Sequence, residues 1–119
     1  MSSKPVYDLE ERTYLFAKNV RLFVKKLPPT IANIEDGKQV IRSSGSVGAN
    51  YIEANEALSK KDFLMRVKIS RKESKESAFF LRLIYETNVA GFEKEGIELC
   101  DEAIQLKKIF SSIIEKSKE

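Results

Sequence analysis

Apolar residues recur at helical spacing along most of the chain, and the breaks between these stretches divide it into four predicted helices. The first runs from about Asp8 to Leu27 and carries Leu9, Phe16, Val20, Phe23 and Leu27 on one stripe. Asp8 with Glu11 three residues later resembles a capping box, and Pro28-Pro29 stops the helix. The second runs from about Ile34 to Leu58. Ile34, Val40, Ile41, Ser44, Val47, Gly48, Tyr51, Ile52, Asn55 and Leu58 share its stripe. Ser59 caps the third, with Asp62 at the reciprocal position, and this short turn makes the second and third helices antiparallel neighbours. The third helix, Lys60 to Thr87, aligns Phe63, Val67, Ser70, Ser74, Ser77, Ala78, Leu81 and Ile84. A loop over Asn88 to Gly96 is marked by Gly91 and Gly96. The fourth helix, from about Ile97 to Ser117, aligns Ile97, Cys100, Ala103, Ile104, Lys107, Phe110, Ile113 and Ile114. The terminal Ser-Lys-Glu is expected to fray. With no alternating stretch that reads as a strand, the pattern predicts an all-α, up-and-down antiparallel four-helix bundle in a single domain, 1–119.

Two interruptions of the apolar pattern are informative. Ser43, Ser44, Gly45, Ser46, Gly48, Ala49 and Asn50 crowd small residues into the middle of the second helix. Each interior glycine costs about 1 kcal/mol relative to alanine, a cost accepted where another helix comes close to the backbone. The third helix is also small at its centre, at Ser70, Ser74, Ser77 and Ala78. Ser44, Gly45, Gly48, Asn50, Ser74 and Ala78 are therefore candidate packing residues for a close approach of the second and third helices, Asn50 through a hydrogen bond that fixes register. Conversely, Phe79, Phe80, Leu81, Leu83, Ile84 and Tyr85 make the end of the third helix apolar over a wide arc. One bundle seam cannot cover such an arc, so Phe79, Phe80 and Leu83 are the expected subunit interface of a homo-oligomer.

Composition adds limits. The 119 residues are 42% hydrophobic and 33% charged, enough for one domain with a core. The single cysteine, Cys100, rules out an internal disulfide and suits a reducing cytoplasm. The first residues lack the apolar segment of a signal peptide, and no apolar run is long enough to span a bilayer, so no membrane is expected as a partner. Net charge is +3, but it is unevenly spread. Residues 60–75 hold seven basic side chains against two acidic ones, while 93–101 is acidic. Lys60, Lys61, Lys68, Arg71 and Lys75 are the candidate nucleic-acid-binding residues. Few aromatics interleave with them, so charge and shape, not base stacking, would lead any binding.

Catalytic chemistry finds little support. The absence of histidine removes the commonest general base and metal ligand, and with it Ser–His–Asp and Cys–His sites. Cys100 sits on an apolar stripe and reads as structural. Glu53-x-x-Glu56 and Glu73-x-x-Glu76 could together hold Mg2+, a layout similar to that of all-α nucleotide pyrophosphohydrolases. In those enzymes the second motif ends in Asp, where this chain has Glu76, and Lys72, Lys75, Arg42 or Arg82 could neutralise the second pair instead. Gly45-Ser46-Val47-Gly48 lacks the Gly-Lys-Ser/Thr of a P-loop and the flanking strands of a KH domain. The expectation is no catalytic residue, no metal and no cofactor.

The run Arg42-Ser43-Ser44, then Ser46-Val47-Gly48-Ala49-Asn50-Tyr51-Ile52-Glu53-Ala54, resembles the 23S rRNA-intervening sequence family, four-helix-bundle proteins encoded within bacterial large-subunit ribosomal RNA genes. Lys61-Asp62-Phe63 and Lys72-Glu73-Ser74-Lys75-Glu76-Ser77 extend the resemblance over nearly the whole chain. It implies a bacterial four-helix bundle assembled as a ring, with five subunits, and no enzymatic activity. Relatives include the accessory variability protein of diversity-generating retroelements, which works with a reverse transcriptase and its RNA. The modest +3 sets this chain apart from that strongly basic type. The expected role is a non-enzymatic, homo-oligomeric bundle that binds RNA, or an RNA-bearing complex such as a reverse-transcriptase partner, through its basic surface. The alternatives are a protein-interaction scaffold that binds no nucleic acid and, at some distance, a Mg2+-dependent nucleotide hydrolase.

Overall fold

Three of the four helices begin at a short polar side chain that accepts from a free amide of the first turn. In the computed structural model, which describes residues 8–118, Asp8 accepts from the Glu11 amide at 3.0 Å and opens α1 (Leu9–Lys25). Thr30 accepts from the Asn33 amide at 3.1 Å and opens α2 (Ile31–Asn55). Ser59 accepts from the Asp62 amide at 3.0 Å and opens α3 (Lys60–Thr87). A 3-10 turn, Ala90–Phe92, leads into α4 (Glu93–Ser117), which has no side-chain cap. No strand occurs among the described residues.

The boundaries of α2 and α4 differ from the sequence expectation for local reasons. The Thr30 cap starts α2 three residues before Ile34, directly after the two prolines. The same helix ends at Asn55, and Leu58 is fully exposed in the turn. The 3-10 turn replaces most of the expected loop, so α4 starts at Glu93 instead of Ile97. Ile34, Ile52 and Ile97, assigned to apolar stripes by spacing, are exposed.

Cross-helix partners show the topology. α2 and α3 run antiparallel, because Arg42 meets Glu76, Val47 meets Ser70 and Asn50 meets Arg66. α1 runs antiparallel to α4, through Arg12–Glu102 and Lys26–Glu95. α1 also packs on α2, and α4 on α3, which closes an up-and-down bundle. Its buried apolar residues form one cluster in which Phe16, Phe23, Leu81, Ile84, Leu106 and Phe110 are the largest. Leu99, Leu106 and Thr13, which the stripes omitted, are buried with them.

The small residues of α2 serve two contacts, not one. On one side Ser43 Oγ lies 2.8 Å from Ser77 Oγ, and Ser70 Oγ donates to the Val47 carbonyl at 2.8 Å. A side-chain hydroxyl reaching a neighbouring helix backbone requires the small centres of α2 and α3. On the other side, a Cβ built on Gly48 would lie 2.8 Å from Thr13 Oγ1, so Gly48 admits α1 and not α3. Gly45 also faces α1, beside the Arg21 guanidinium. Ser44 and Ser74 are buried and bond within their own helices, to the carbonyls of Ile41 and Ser70. Ala78, half-buried, packs against the core and presents its carbonyl to Cys100 Sγ at 3.5 Å.

Candidate nucleic-acid interface

The inward positions of α3 dictate what faces out. Val67, Ser70, Ser74 and Ser77 point into the bundle. The same helical period then puts Lys61, Met65, Lys68, Lys72, Lys75 and Phe79 on the solvent side. Lys68, Arg71, Lys72 and Lys75 line a groove of about 540 Å3 whose other wall is Lys107 and Ser111 of α4. Lys60 and Lys61 line a separate cleft at the start of α3, with Ser59, Asp62, Leu64 and Met65. Lys68 belongs to both. The basic segment is therefore two adjoining surfaces, and only the α3/α4 groove is free of carboxylates in its lining.

The spacing that puts Lys107 on the apolar stripe of the fourth helix also aims it at α3. A lysine within an otherwise apolar stripe is the only sequence signal that could have found it. Lys72, absent from the candidate set, joins the groove as well. Arg66 does not. Its guanidinium turns to α2 and donates to Asn50 Oδ1 at 3.0 Å, while Asn50 Nδ2 donates to the Ser46 carbonyl at 2.9 Å.

The acidic residues interleaved with the lysines face the other way. Glu73, 7% exposed, accepts from Arg42 Nη1 at 3.3 Å, and Glu76 accepts from Arg42 Nη2. Arg82 pairs with Glu86. Arg42 thus takes both carboxylates to the α2 side and leaves the groove side positive. Among the described residues, none of Lys60, Lys61, Lys68, Arg71, Lys72, Lys75 and Lys107 has a carboxylate in ion-pair range.

The register of α2 on α3 also separates the two acidic pairs. Glu73 and Glu76 sit opposite Arg42, and Glu53 lies eleven residues further along α2, about 16 Å at helical rise. The four carboxylates do not converge, and no cluster of three or more metal-ligating side chains forms among the described residues. Cys100 is buried, and burial pushes its thiol pKa up, away from the thiolate.

Of the residues expected at a subunit interface, Phe79 is 59% exposed and Leu83 is exposed beside it. Phe80 departs from that set. It packs partly against the core, its ring centroid 5.2 Å from that of Phe79 in an edge-on arrangement. A second apolar surface is a groove of about 540 Å3 between α1 and α2, lined by Tyr14, Ala17, Leu22, Gly45, Ala49 and Ile52, with Glu10, Lys18 and Arg21 at it as well. Among the described residues, no helix is long and apolar enough to cross a membrane.

Among the described residues, fold and surface together define a class: an antiparallel four-helix bundle with a cationic α3/α4 groove and exposed apolar patches. The family model for the 23S rRNA-intervening sequence protein matches residues 7–112, and the chain belongs to that family. No curated protein matches the chain. A solved structure it resembles is a protein of unknown function from the S23 ribosomal protein family of Bacteroides thetaiotaomicron. That protein is 27% identical, with a TM-score of 0.74 over 89% of this chain and 97% of the other.

Proposed function

We propose that the chain is a non-enzymatic, self-associating bundle that binds RNA, or an RNA-bearing protein complex, through the groove between α3 and α4. The observation that carries this reading is the convergence of Lys68, Arg71, Lys72, Lys75 and Lys107 with no carboxylate in the groove lining. Such a cluster repels itself, and an anionic partner relieves the repulsion. Lys60 and Lys61 extend the positive surface along α3 through Lys68. The family's link to ribosomal RNA genes agrees with an RNA partner, and a cytoplasmic location agrees with the single reduced cysteine. Self-association rests on Phe79 and Leu83, and the ring of five on the family resemblance.

Fluorescence-anisotropy titration with a structured RNA at ~50 and ~200 mM salt tests the reading. Binding that weakens steeply at the higher salt is the expected result, because neutralised phosphates release counterions. Charge reversal at Lys68, Arg71 and Lys75 should abolish it. No binding at the lower salt transfers the lead to the scaffold reading, which the exposed apolar surfaces around Phe79 and around Tyr14 support. Its mark is salt-insensitive self-association.

A further inference from the structure

We infer that the α3/α4 groove is a site for the backbone of double-stranded RNA, and that α4 completes it with Lys107 and Ser111. The inference rests on the RNA reading above and specifies the form of RNA and the second helix that holds it.

Three observations lead there. The first is the division of labour between the two basic residue types. Arg12, Arg21, Arg42, Arg66 and Arg82 each donate to a carboxylate, a carbonyl or an amide oxygen of the chain itself. Arg71 is the one guanidinium in the groove, beside four lysines. A guanidinium fork can grip phosphate and also read base edges bidentately, whereas lysine is a flexible point charge suited to phosphate. The groove is therefore equipped for backbone and poorly equipped for sequence.

The second observation is what the groove lacks in its lining. Sites for single strands hold the unpaired bases on aromatic faces. The six lining side chains are four lysines, one arginine and one serine. A duplex keeps its bases stacked internally and offers phosphates and 2′-hydroxyls outward, which is what such a lining can bind.

The third is shape. Lys61, Lys68, Lys72 and Lys75 form one exposed row on a 28-residue helix, and the row spans about 21 Å at helical rise. A straight row of that length fits a rigid rod better than a flexible strand. Lys107 stands across the groove from the row, so charge is presented on two lines, with the Ser111 hydroxyl beside it. A hydroxyl both donates and accepts, and suits the 2′-hydroxyls displayed in the shallow minor groove of an A-form helix.

The test uses the full chain and three fluorescent probes of one sequence: an RNA duplex, one of its single strands, and the matching DNA duplex. Affinity is read from ~50 to ~200 mM salt. For the RNA duplex, log K against log salt should fall with a slope of about −0.9 per phosphate neutralised. Lys72→Gln and Lys107→Gln should each make the slope shallower by about 0.9, and Lys107→Arg should restore it. Ser111→Ala should narrow the preference for RNA duplex over DNA duplex. Thermal melts of each variant establish that the bundle still folds. A single strand bound as tightly as the duplex overturns the duplex assignment while leaving the RNA reading intact. Equal affinity for the DNA duplex also overturns it. An unchanged slope for Lys107→Gln alongside a shallower one for Lys72→Gln removes α4 from the site. Failure of all three probes to bind at ~50 mM salt takes down the RNA reading itself.

Discussion

At the scale of single residues, the two central glycines of α2 behave differently because they meet different neighbours. A Cβ at Gly48 would sit 2.8 Å from Thr13 Oγ1 and 3.2 Å from Thr13 Cβ, in a buried contact with no room to move. Gly48→Leu should cost about 1–3 kcal/mol or more by overpacking, read as a lowered Tm. An unchanged Tm would show that α1 and α2 are not closely packed there. At Gly45 the nearest atom is the tip of the flexible Arg21 side chain, at 3.3 Å. Gly45→Ala should therefore gain up to about 1 kcal/mol from helix propensity, since the guanidinium can swing aside. Cys100 gives a third residue-scale prediction. Burial and a raised thiol pKa should make it slow to alkylate at neutral pH in the native protein and fast once the chain is denatured in urea. Rapid native labelling would contradict its buried position.

At the scale of elements, polar side chains hold the helices in register where apolar packing alone would let them slide. The Asn33 and Asn88 amides donate to each other reciprocally, both at 2.8 Å, and also satisfy the Pro28 and Ile84 carbonyls. This ties the start of α2 to the end of α3 with its polar groups paired. Arg42 does the same at mid-helix through Glu73 and Glu76. Arg42→Met should destabilise the bundle by about 1–2 kcal/mol, discounted for the half-exposed guanidinium, because Glu73 is left buried without its partner. Adding Glu73→Gln should recover part of that loss in urea melts, and no recovery would show that the pair itself is unimportant. Arg42→Met by itself should weaken RNA binding, since Glu76 is then free to turn toward Lys72, four residues earlier on α3.

At the scale of the whole molecule, exposed apolar side chains lie on more than one face. The α3/α4 side carries a cluster of cations that have no ion pair among the described residues, and Phe79 and Leu83 continue the exposed face of α3 beyond them. The groove between α1 and α2 exposes Tyr14, Leu22 and Ile52 on a different face. Patches on two faces of one chain favour head-to-tail contacts, which close into rings when the rotation permits. Phe79→Asp and Leu83→Asp should each reduce the native mass measured by light scattering. Phe80→Asp should instead lower stability, because Phe80 packs against the core. Unchanged mass for both exposed positions would place self-association elsewhere.

The four helices, their caps at Asp8 and Ser59, and their antiparallel order follow from local periodicity, short polar side chains and short turns, and so were legible along the chain. It also marked the close approaches, since small residues inside a helix have few other physical reasons. Which helix each small residue admits depends on the packing of the bundle: Ser43 and Val47 meet α3, whereas Gly48 meets α1. A helical period tells which residues share a face but not which neighbour covers that face. Lys107 was hidden for the same reason. Its position on the stripe was legible, yet only the packing of α4 against α3 brings it within the basic groove. The neutralisation of Glu73 and Glu76 by Arg42 was one option among several in the sequence, and the register of α2 on α3 selects it.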